Sequence, residues 1–347
     1  MKKHTGLHNA LLFLALVSLP FVGEAKTGRN GEIVEKKRTI NKSYSVSDKD
    51  KLSIENSFGN IVVNTWDKSE IKVDIEIGVK ASTEQKAQAM MNQIDVHDSQ
   101  SDNVISFKTD VNDVNNNDGK KHKNLDYGDD RKFYIDYKIY MPIGNKLDIE
   151  NSFGKISVPD LHGAVSLTSK FGELNAGKLS EVRDIDVEFG KAEIAAIHDG
   201  DISFKFNSRS HINQVSGSVK IKSEFSGDVR FDVANSIQDL SLIESYSSIS
   251  MLVGKDISAQ FTIHSSFGSF HNGTAIQIEE DKDEADQFGP KFDRDYSGTS
   301  GDGKAKIKVK SSFGKIRFYD SGSAVNNDND DDDDKDTKHH SKKTVSL

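Results

Sequence analysis

Asn56-Ser57-Phe58-Gly59-Asn60-Ile61 recurs almost unchanged as Asn151-Ser152-Phe153-Gly154-Lys155-Ile156, and again as Ser311-Ser312-Phe313-Gly314-Lys315-Ile316. Weaker copies of this hexapeptide fill the chain between the second and third: Ser169–Leu174, Val187–Ala192, Asn207–Ile212, Ser223–Asp228, Glu244–Ile249 and Ser265–Phe270. A repeat of nearly fixed period in a chain of strand-like segments is typical of a solenoid, in which each unit stacks on its neighbour.

The short strand-like pieces of each repeat could pair in an antiparallel meander or in a parallel stack. A meander needs tight Asn-Gly or Asp-Gly turns at its reversals. Outside residues 279–303, the repetitive half offers only Asp199-Gly200 and Asn272-Gly273. The sequence therefore favours an all-β fold built as a parallel β-helix, with the same residue type at the same corner of every turn.

The predicted corners are aromatic residues, most of them followed by glycine. We expect the rings to point inward as a core ladder, and glycine to supply the positive φ of the corner. The alternative is that the rings form an outer binding surface of stacked aromatics. Arg209 takes the equivalent position between Phe189 and Phe225. The predicted corner residues are Phe58, Gly59, Phe153, Gly154, Phe171, Gly172, Phe189, Gly190, Phe225, Tyr246, Phe267, Gly268, Phe313 and Gly314.

The N-terminal part, residues 26–145, is less repetitive. Residues 71–79 alternate apolar and polar, which predicts a strand with one buried face. Residues 82–94 predict the one short helix, with Ser82 as N-cap and Gln85 in the capping-box position. The Asn/Asp/Lys/Gly-rich segment 110–131 predicts a mobile loop.

The two ends of the chain predict segments outside the fold. Lys2 and Lys3, the apolar run 10–17, and small residues before position 26 indicate a signal peptide at 1–25. The alternative, a membrane anchor, would need about 20 apolar residues. Residues 146–320 form the repeat region, with an acidic excursion at 279–303. Residues 321–347, with Asp330–Asp334 in a row, predict a disordered acidic tail.

Composition narrows the function classes. The chain of 347 residues carries a net charge of −9, which disfavours a nucleic-acid partner. It contains no cysteine, so disulfides, thiolate metal sites and a lipid-modified N-terminal cysteine are excluded. No second long apolar run follows the leader, so we expect no transmembrane span in the mature chain.

No catalytic, cofactor or metal residues are predicted. Asp184, Asp186 and Glu188 alternate along one strand and would share a face, as a polysaccharide-cleaving β-helix enzyme requires, but a charged β surface produces this pattern by chance. The segment 113–124 resembles a calcium loop, but Asp118 and Asn124 stand where Gly and Glu are required. We expect the aspartate-rich tail, including His339-His340, to be solvated chain.

The order of these features resembles the "putative adhesin" family of exported bacterial β-helical proteins of unknown function, especially its Bacteroidetes members. The resemblance covers roughly residues 30–320: the first Ser-Phe-Gly repeat, Trp66, an alternating strand, the helix, the Tyr-x-Ile-Tyr-Met-Pro segment and the row of aromatic corners. It implies a right-handed parallel β-helix at the periplasmic or outer cell surface, and it supplies no catalytic residues. The acidic excursion and the aspartate-rich tail depart from the pattern.

We therefore expect an exported, non-enzymatic envelope protein that acts as an adhesin-like surface or scaffold. Outward side chains of successive turns would contact an extended partner, such as a glycan or another envelope protein. Two alternatives stay open: a carbohydrate-active β-helix enzyme and a periplasmic assembly or stress factor.

Overall fold

The computed structural model describes residues 33–111, 133–281 and 292–320. The predicted signal peptide 1–25, the calcium-like segment 113–124 and the tail 321–347 lie outside the described residues. Of the predicted loop 110–131, only the first two residues are described, and they end a strand.

Seven strands and one helix make up the described N-terminal region. Their bounds are β1 (Val34–Ser45), β2 (Lys51–Asn56), β3 (Ile61–Thr65), β4 (Glu70–Ala81), α1 (Glu84–Met91), β5 (Ile94–Ser101), β6 (Val104–Val111) and β7 (Phe133–Met141).

Fourteen further strands complete the described chain, and no second helix occurs in 133–281 or 292–320. They are β8 (Lys146–Ser152), β9 (Lys155–Val158), β10 (Leu161–Lys170), β11 (Glu173–Glu188), β12 (Lys191–Lys205), β13 (Arg209–Glu224), β14 (Asp228–Ser245), β15 (Ser248–Val253), β16 (Ala259–Ser266), β17 (Ser269–Gly273), β18 (Ile278–Glu280), β19 (Asp293–Ser300), β20 (Ala305–Ser312) and β21 (Lys315–Tyr319). The predicted all-β class with one short helix is confirmed.

All these strands belong to one hydrogen-bonded sheet, and most of the pairs are parallel. Row A, as we call it, runs through β6, β2, β8, β10 and the second parts of β11, β12, β13 and β14, then β20 and β16. Row B runs through β7, β3, β9, the first parts of β11, β12, β13 and β14, then β15, β21 and β17. From β2 to β3, and in every repeat from β8 onward, the chain passes from row A to row B at an aromatic corner.

The order of the repeats in space differs from their order in the chain. β20 and β21, the last repeat in the sequence, lie between β14 and β15 on one side and β16 and β17 on the other. At the other end, β6 and β7 pair with β2 and β3 on the side away from β8 and β9. The part of the acidic excursion that is described includes β18 and β19, and β19 pairs antiparallel with β16.

The core lies on the inward faces of the two rows, where the same position of each repeat is apolar. In row A, Ile185 pairs with both Leu167 and Ile202. Because the parallel register aligns equivalent residues, aliphatic side chains stack directly on one another and exclude water. The buried row A column is Ile54, Ile149, Leu167, Ile185, Ile202, Ile221, Leu242, Val309 and Ile263.

The helix begins later than predicted. Thr83 is the N-cap, and its hydroxyl accepts a hydrogen bond from the backbone N–H of Lys86 at 3.3 Å. The predicted N-cap, Ser82, is therefore wrong by one residue. The helix ends at Met91, with Asn92 as C-cap, and Ile94, the predicted end of the helix, begins β5. Ala87 and Met91 are the buried side chains of the helix.

Candidate functional site

The aromatic corner residues have a backbone conformation that bulky side chains seldom adopt. Their φ angles lie between 50° and 60°, in the left-handed region: Phe153, Phe171, Phe189, Phe206, Phe225, Tyr246, Phe267 and Phe313. Backbone hydrogen bonds fix each corner on its neighbour. Phe171 N–H donates to the Glu188 carbonyl at 2.9 Å, and Phe189 N–H donates to the Lys205 carbonyl at 3.0 Å. Such strain persists only where the surroundings over-determine it.

This conformation turns the rings out of the core. Most corner rings are 48–54% exposed, so the prediction that they form an inward ladder is wrong. Instead they stack on one another outside, with centroids 4.8 to 5.4 Å apart. We call this stack the aromatic ridge. In spatial order it consists of Phe58, Phe153, Phe171, Phe189, Phe206, Phe225, Tyr246, Phe313, Phe267 and Phe292.

The ridge presents ring edges to solvent. From Phe58 to Phe267, adjacent rings are parallel to within 8°, so the faces of the inner rings are covered by their neighbours. At one end Phe133 meets Phe58 edge-on at 70°. A ligand cannot stack on the inner ring faces, as flat sugars or bases do on isolated aromatic side chains. The ridge can instead offer a continuous, narrow apolar strip.

The corner glycines allow the backbones of neighbouring corners to approach each other closely. Of the predicted corner glycines, only Gly59 has a positive φ. A Cβ on Gly172 would overlap the carbonyl oxygen of Gly154, and a Cβ on Gly190 would overlap that of Gly172. The predicted role, to supply the positive φ, is therefore confirmed for Gly59 and wrong for the other five corner glycines, where the aromatic residue itself takes that conformation. Glycine allows the backbones of stacked corners to meet.

Three corners replace glycine with a polar residue that is buried. Asn207 Nδ2 donates to the Val187 carbonyl at 3.1 Å, and Asn207 Oδ1 accepts from Gly190 N–H at 3.0 Å. Ser226 and Ser247 occupy the next two corners, and the Ser247 hydroxyl accepts from Ser226 N–H at 3.0 Å. Each of these side chains hydrogen-bonds to the backbone of a neighbouring corner, so the stack continues where glycine is absent.

Glu244 lies buried directly beneath this run of corners. Its carboxylate accepts hydrogen bonds from Ser247 N–H, at 2.6 Å, and from the Ser311 hydroxyl. Burial raises the pKa of Glu244, while these two hydrogen bonds act in the opposite direction. A Cβ on Gly314 would overlap this carboxylate, so Glu244 belongs to the packing of the corner formed by the last repeat.

Phe206 is the corner residue that sequence reasoning missed. It has φ 53° and stacks on Phe189 at 4.8 Å and on Phe225 at 5.2 Å. Arg209, the predicted occupant, begins β13 beside Lys191. Phe206 is followed by Asn rather than Gly, which hides the repeat. Its spacing of 17 residues from Phe189 was the available signal.

Charged side chains border the ridge and are mostly paired. In row A, Lys205 Nζ lies 2.9 Å from Glu188 and 3.6 Å from Asp186, and Lys170 contacts Glu150 at 2.9 Å. In row B, Glu173 accepts from Lys155 and Lys191 at 3.1 and 3.0 Å. Parallel register places unlike charges on adjacent strands, so these borders are close to neutral along the central repeats.

The candidate catalytic carboxylates are part of these pairs. Asp184, Asp186 and Glu188 do share the outer face of β11, as predicted. Asp184 accepts a hydrogen bond from the Ser166 hydroxyl at 2.9 Å, and the other two face Lys205. Their arrangement therefore serves cross-strand pairing. Within 33–111, 133–281 and 292–320, no group of His, Asp and Glu side chains has metal-binding geometry.

Comparisons with known proteins find similarity only among solved structures. No family model and no curated protein matches the chain. A "putative adhesin" from Bacteroides fragilis is 12% identical, covering 81% of this chain and 97% of its own, with TM-score 0.32. A "putative cell adhesion protein" from Clostridium sporogenes is 13% identical, covering 82% and 100%, with TM-score 0.30.

A third similar structure is a "putative adhesin" from Parabacteroides merdae, 10% identical, covering 83% of this chain and 97% of its own, with TM-score 0.27. The first and third of these neighbours carry the name of the family that the sequence resembles. At such identities and scores they assign no role to any residue of this chain. In the residues that the structure describes, no helix is long and apolar enough to cross a membrane.

Proposed function

We propose that this chain is an exported, non-enzymatic envelope protein that contacts an extended partner through the aromatic ridge, as an adhesin-like surface or a scaffold. The observation that carries the proposal is the ridge itself: ten stacked rings, of which eight are about half exposed. Soluble proteins seldom leave contiguous apolar surface uncovered unless it meets a partner.

The proposal includes a right-handed parallel β-helix as the scaffold, with rows A and B as two of its walls. The parallel registers and the recurring corner support this winding. A rigid stack would present every ring at a spacing near 4.9 Å. Contact with a long partner would therefore be distributed over many small, equivalent contacts rather than concentrated in one pocket.

The backbone strain at the corners also supports a role outside the core. A left-handed conformation at a non-glycine residue costs of order 1 kcal/mol or more. A solenoid that needed only compact corners could place Asn or Gly at these positions. Here the costly aromatic residue recurs at each corner. Stacking of adjacent rings stabilises the fold by about 0.5–1.5 kcal/mol per pair. The competing explanation for the aromatic corners is therefore structural: the rings hold successive repeats together.

The test separates these two roles. A variant with Phe171→Asn, Phe189→Asn and Phe206→Asn removes three adjacent rings with a residue that tolerates positive φ. We expect it to keep a native circular dichroism spectrum and to lose binding to envelope fractions of the producing cell. Unchanged envelope binding would mean that the ridge only stabilises the stack of repeats, and it would overturn the proposal. Protease treatment of intact cells, with a periplasmic marker as lysis control, would then place the protein outside or inside the outer membrane.

A further inference from the structure

The last repeat carries a charge pattern that the others do not. The outward residues of β20 are Lys306, Lys308 and Lys310, and those at the start of β21 are Lys315 and Arg317. They lie on both sides of Phe313, so the positive charge crosses the aromatic ridge. We call these five residues the cationic belt. Alternate residues of a strand are about 6.6 Å apart, which sets the spacing of the three row A lysines.

The belt is not neutralised by its neighbours. In the described part of the chain, none of its five side chains lies within the 4.0 Å ion-pair distance of a carboxylate, whereas lysines 155, 170, 191, 205 and 222 all do. Lys308 lies between Ser241 and Thr262, and Lys315 between Ser248 and Ser269. Asp239 is aligned with Lys306, and it is the one acidic residue in register with the belt.

Two ordinary explanations for such lysines fit poorly. Lysines often protect the exposed edge of a sheet from unwanted pairing. β20 and β21 are interior strands here, paired on both sides. A merely solvated face would be expected to mix signs, as the central repeats do. A row of uncompensated cations in a chain of net charge −9 concentrates positive potential in one place.

We infer that the cationic belt binds an acidic polysaccharide, whose carboxylate or sulfate groups lie along the lysine row while its hydroxyls meet the flanking Ser and Thr side chains. This inference deepens the proposed function, on which it rests, by naming the partner's chemistry. A lysine ammonium group acts as a point charge and binds carboxylate or sulfate groups alike. The acidic remainder of the surface would repel the same polymer and confine it to the belt.

The surroundings favour a glycan over nucleic acid. Single-stranded nucleic acid is held by bases stacked on exposed aromatic faces, and the ridge offers only edges near Tyr246, Phe313 and Phe267. The flanking residues instead provide hydroxyl groups suited to hydrogen bonds with sugar hydroxyls. In register beside the belt lie Ser241, Ser248, Ser250, Thr262 and Ser269.

The experiment measures the affinity of the full chain for polygalacturonate and heparin, with dextran as the neutral control. We expect binding to both acidic polymers that weakens as salt is raised, and none to dextran. Lys306→Gln, Lys308→Gln and Lys310→Gln together should raise Kd by about tenfold or more, because three of the five charges are lost. The matched control, Lys49→Gln with Lys80→Gln and Lys86→Gln, removes equal charge far from the belt and should stay within about twofold.

Arginine at the same three belt positions should preserve binding, which guards against a folding defect in the glutamine variant. Absence of binding to either acidic glycan, equal loss in the matched control, or equal binding of dextran would overturn the inference. Tighter binding of DNA or polyglutamate would assign the belt to another class of partner and overturn it as well. The three-Asn ridge variant leaves the belt intact, so failure of the ridge proposal is visible separately.

Discussion

At the residue scale, the close approach of stacked corners leaves no room for a side chain at corner glycines such as Gly172. Gly172→Ala would place a methyl group on the carbonyl oxygen of Gly154, so two corners would have to separate. We expect a loss of about 3 kcal/mol or more in the free energy of unfolding, measured with urea. Gly144→Ala is the control, because a Cβ there meets nothing within 4 Å and should cost less than about 1 kcal/mol. Equal losses would contradict this explanation of the glycines.

Two substitutions at one aromatic corner test whether its backbone is strained. Phe189→Asn and Phe189→Ala both remove stacking against Phe171 and Phe206. Asn tolerates the left-handed conformation better than Ala, so the Asn variant should be the more stable of the two by about 0.5–1 kcal/mol. Thermal and urea unfolding of the pair measure this difference. An Ala variant that is as stable as the Asn variant would show that the corner backbone is not strained.

Glu244 gives a pH dependence with a definite sign. Burial raises the pKa of Glu244 in the folded state, so the native protein binds a proton more readily than the unfolded chain does. Stability from this group therefore falls as pH rises from the ordinary glutamate range through the raised value. Glu244→Gln keeps an acceptor for Ser247 N–H and removes the buried charge. We expect it to be more stable than the parent at neutral pH, with the difference vanishing in acid. A constant difference across pH would contradict the assignment.

At the scale of the elements, the sequence predicts the strands well but not the direction of the corner side chains. Alternation marks β4 and β7, and the recurring Ser-Phe-Gly unit marks parallel stacking. Hydrophobicity alone suggests that phenylalanine is buried. The outward direction of Phe171 and Phe189 follows from their positive φ, which no composition or spacing reveals. Phe206 was missed because Asn207 replaces the glycine that marks the other corners.

The lysine row of the cationic belt can be recognised from the sequence alone. Lys306, Lys308 and Lys310 alternate with Ala305, Ile307 and Val309, which places all three lysines on the outer face of one strand. What the sequence cannot show is which strands flank them. The absence of carboxylates beside Lys308 and Lys310 depends on β14 and β16 being the neighbours, and that order is visible only in the structure.

The insertion of the last repeat is the element-scale feature most open to test. Ser241 lies in register with Lys308, while Thr262 is one strand further away. The chain has no cysteine, so Ser241→Cys with Lys308→Cys introduces one unique pair. It should oxidise readily, because neighbouring strands are about 4.8 Å apart. Ser241→Cys with Thr262→Cys should not form a disulfide. The reverse result, read by gel mobility, would mean that the repeats stack in chain order.

At the scale of the whole molecule, sequence repeats define a stack but cannot define its order. The hexapeptides around Phe58, Phe153 and Phe313 are nearly interchangeable, so any could pair with any other. The structure puts the repeat of Phe313 inside the stack and closes that end with β16 to β19. The predicted signal peptide and acidic tail lie outside the described residues and stay predictions.

The aromatic ridge is the central claim, and photo-cross-linking from it is the most direct measurement. A benzophenone-bearing phenylalanine at Phe189 keeps an aromatic ring in the ridge, and the same group at the exposed Asp201 samples row A away from it. Irradiation of each protein with envelope fractions of the producing cell should give a discrete cross-linked product from position 189 and none from position 201. No product from position 189, or equal products from both positions, would contradict the claim that the ridge is the contact surface.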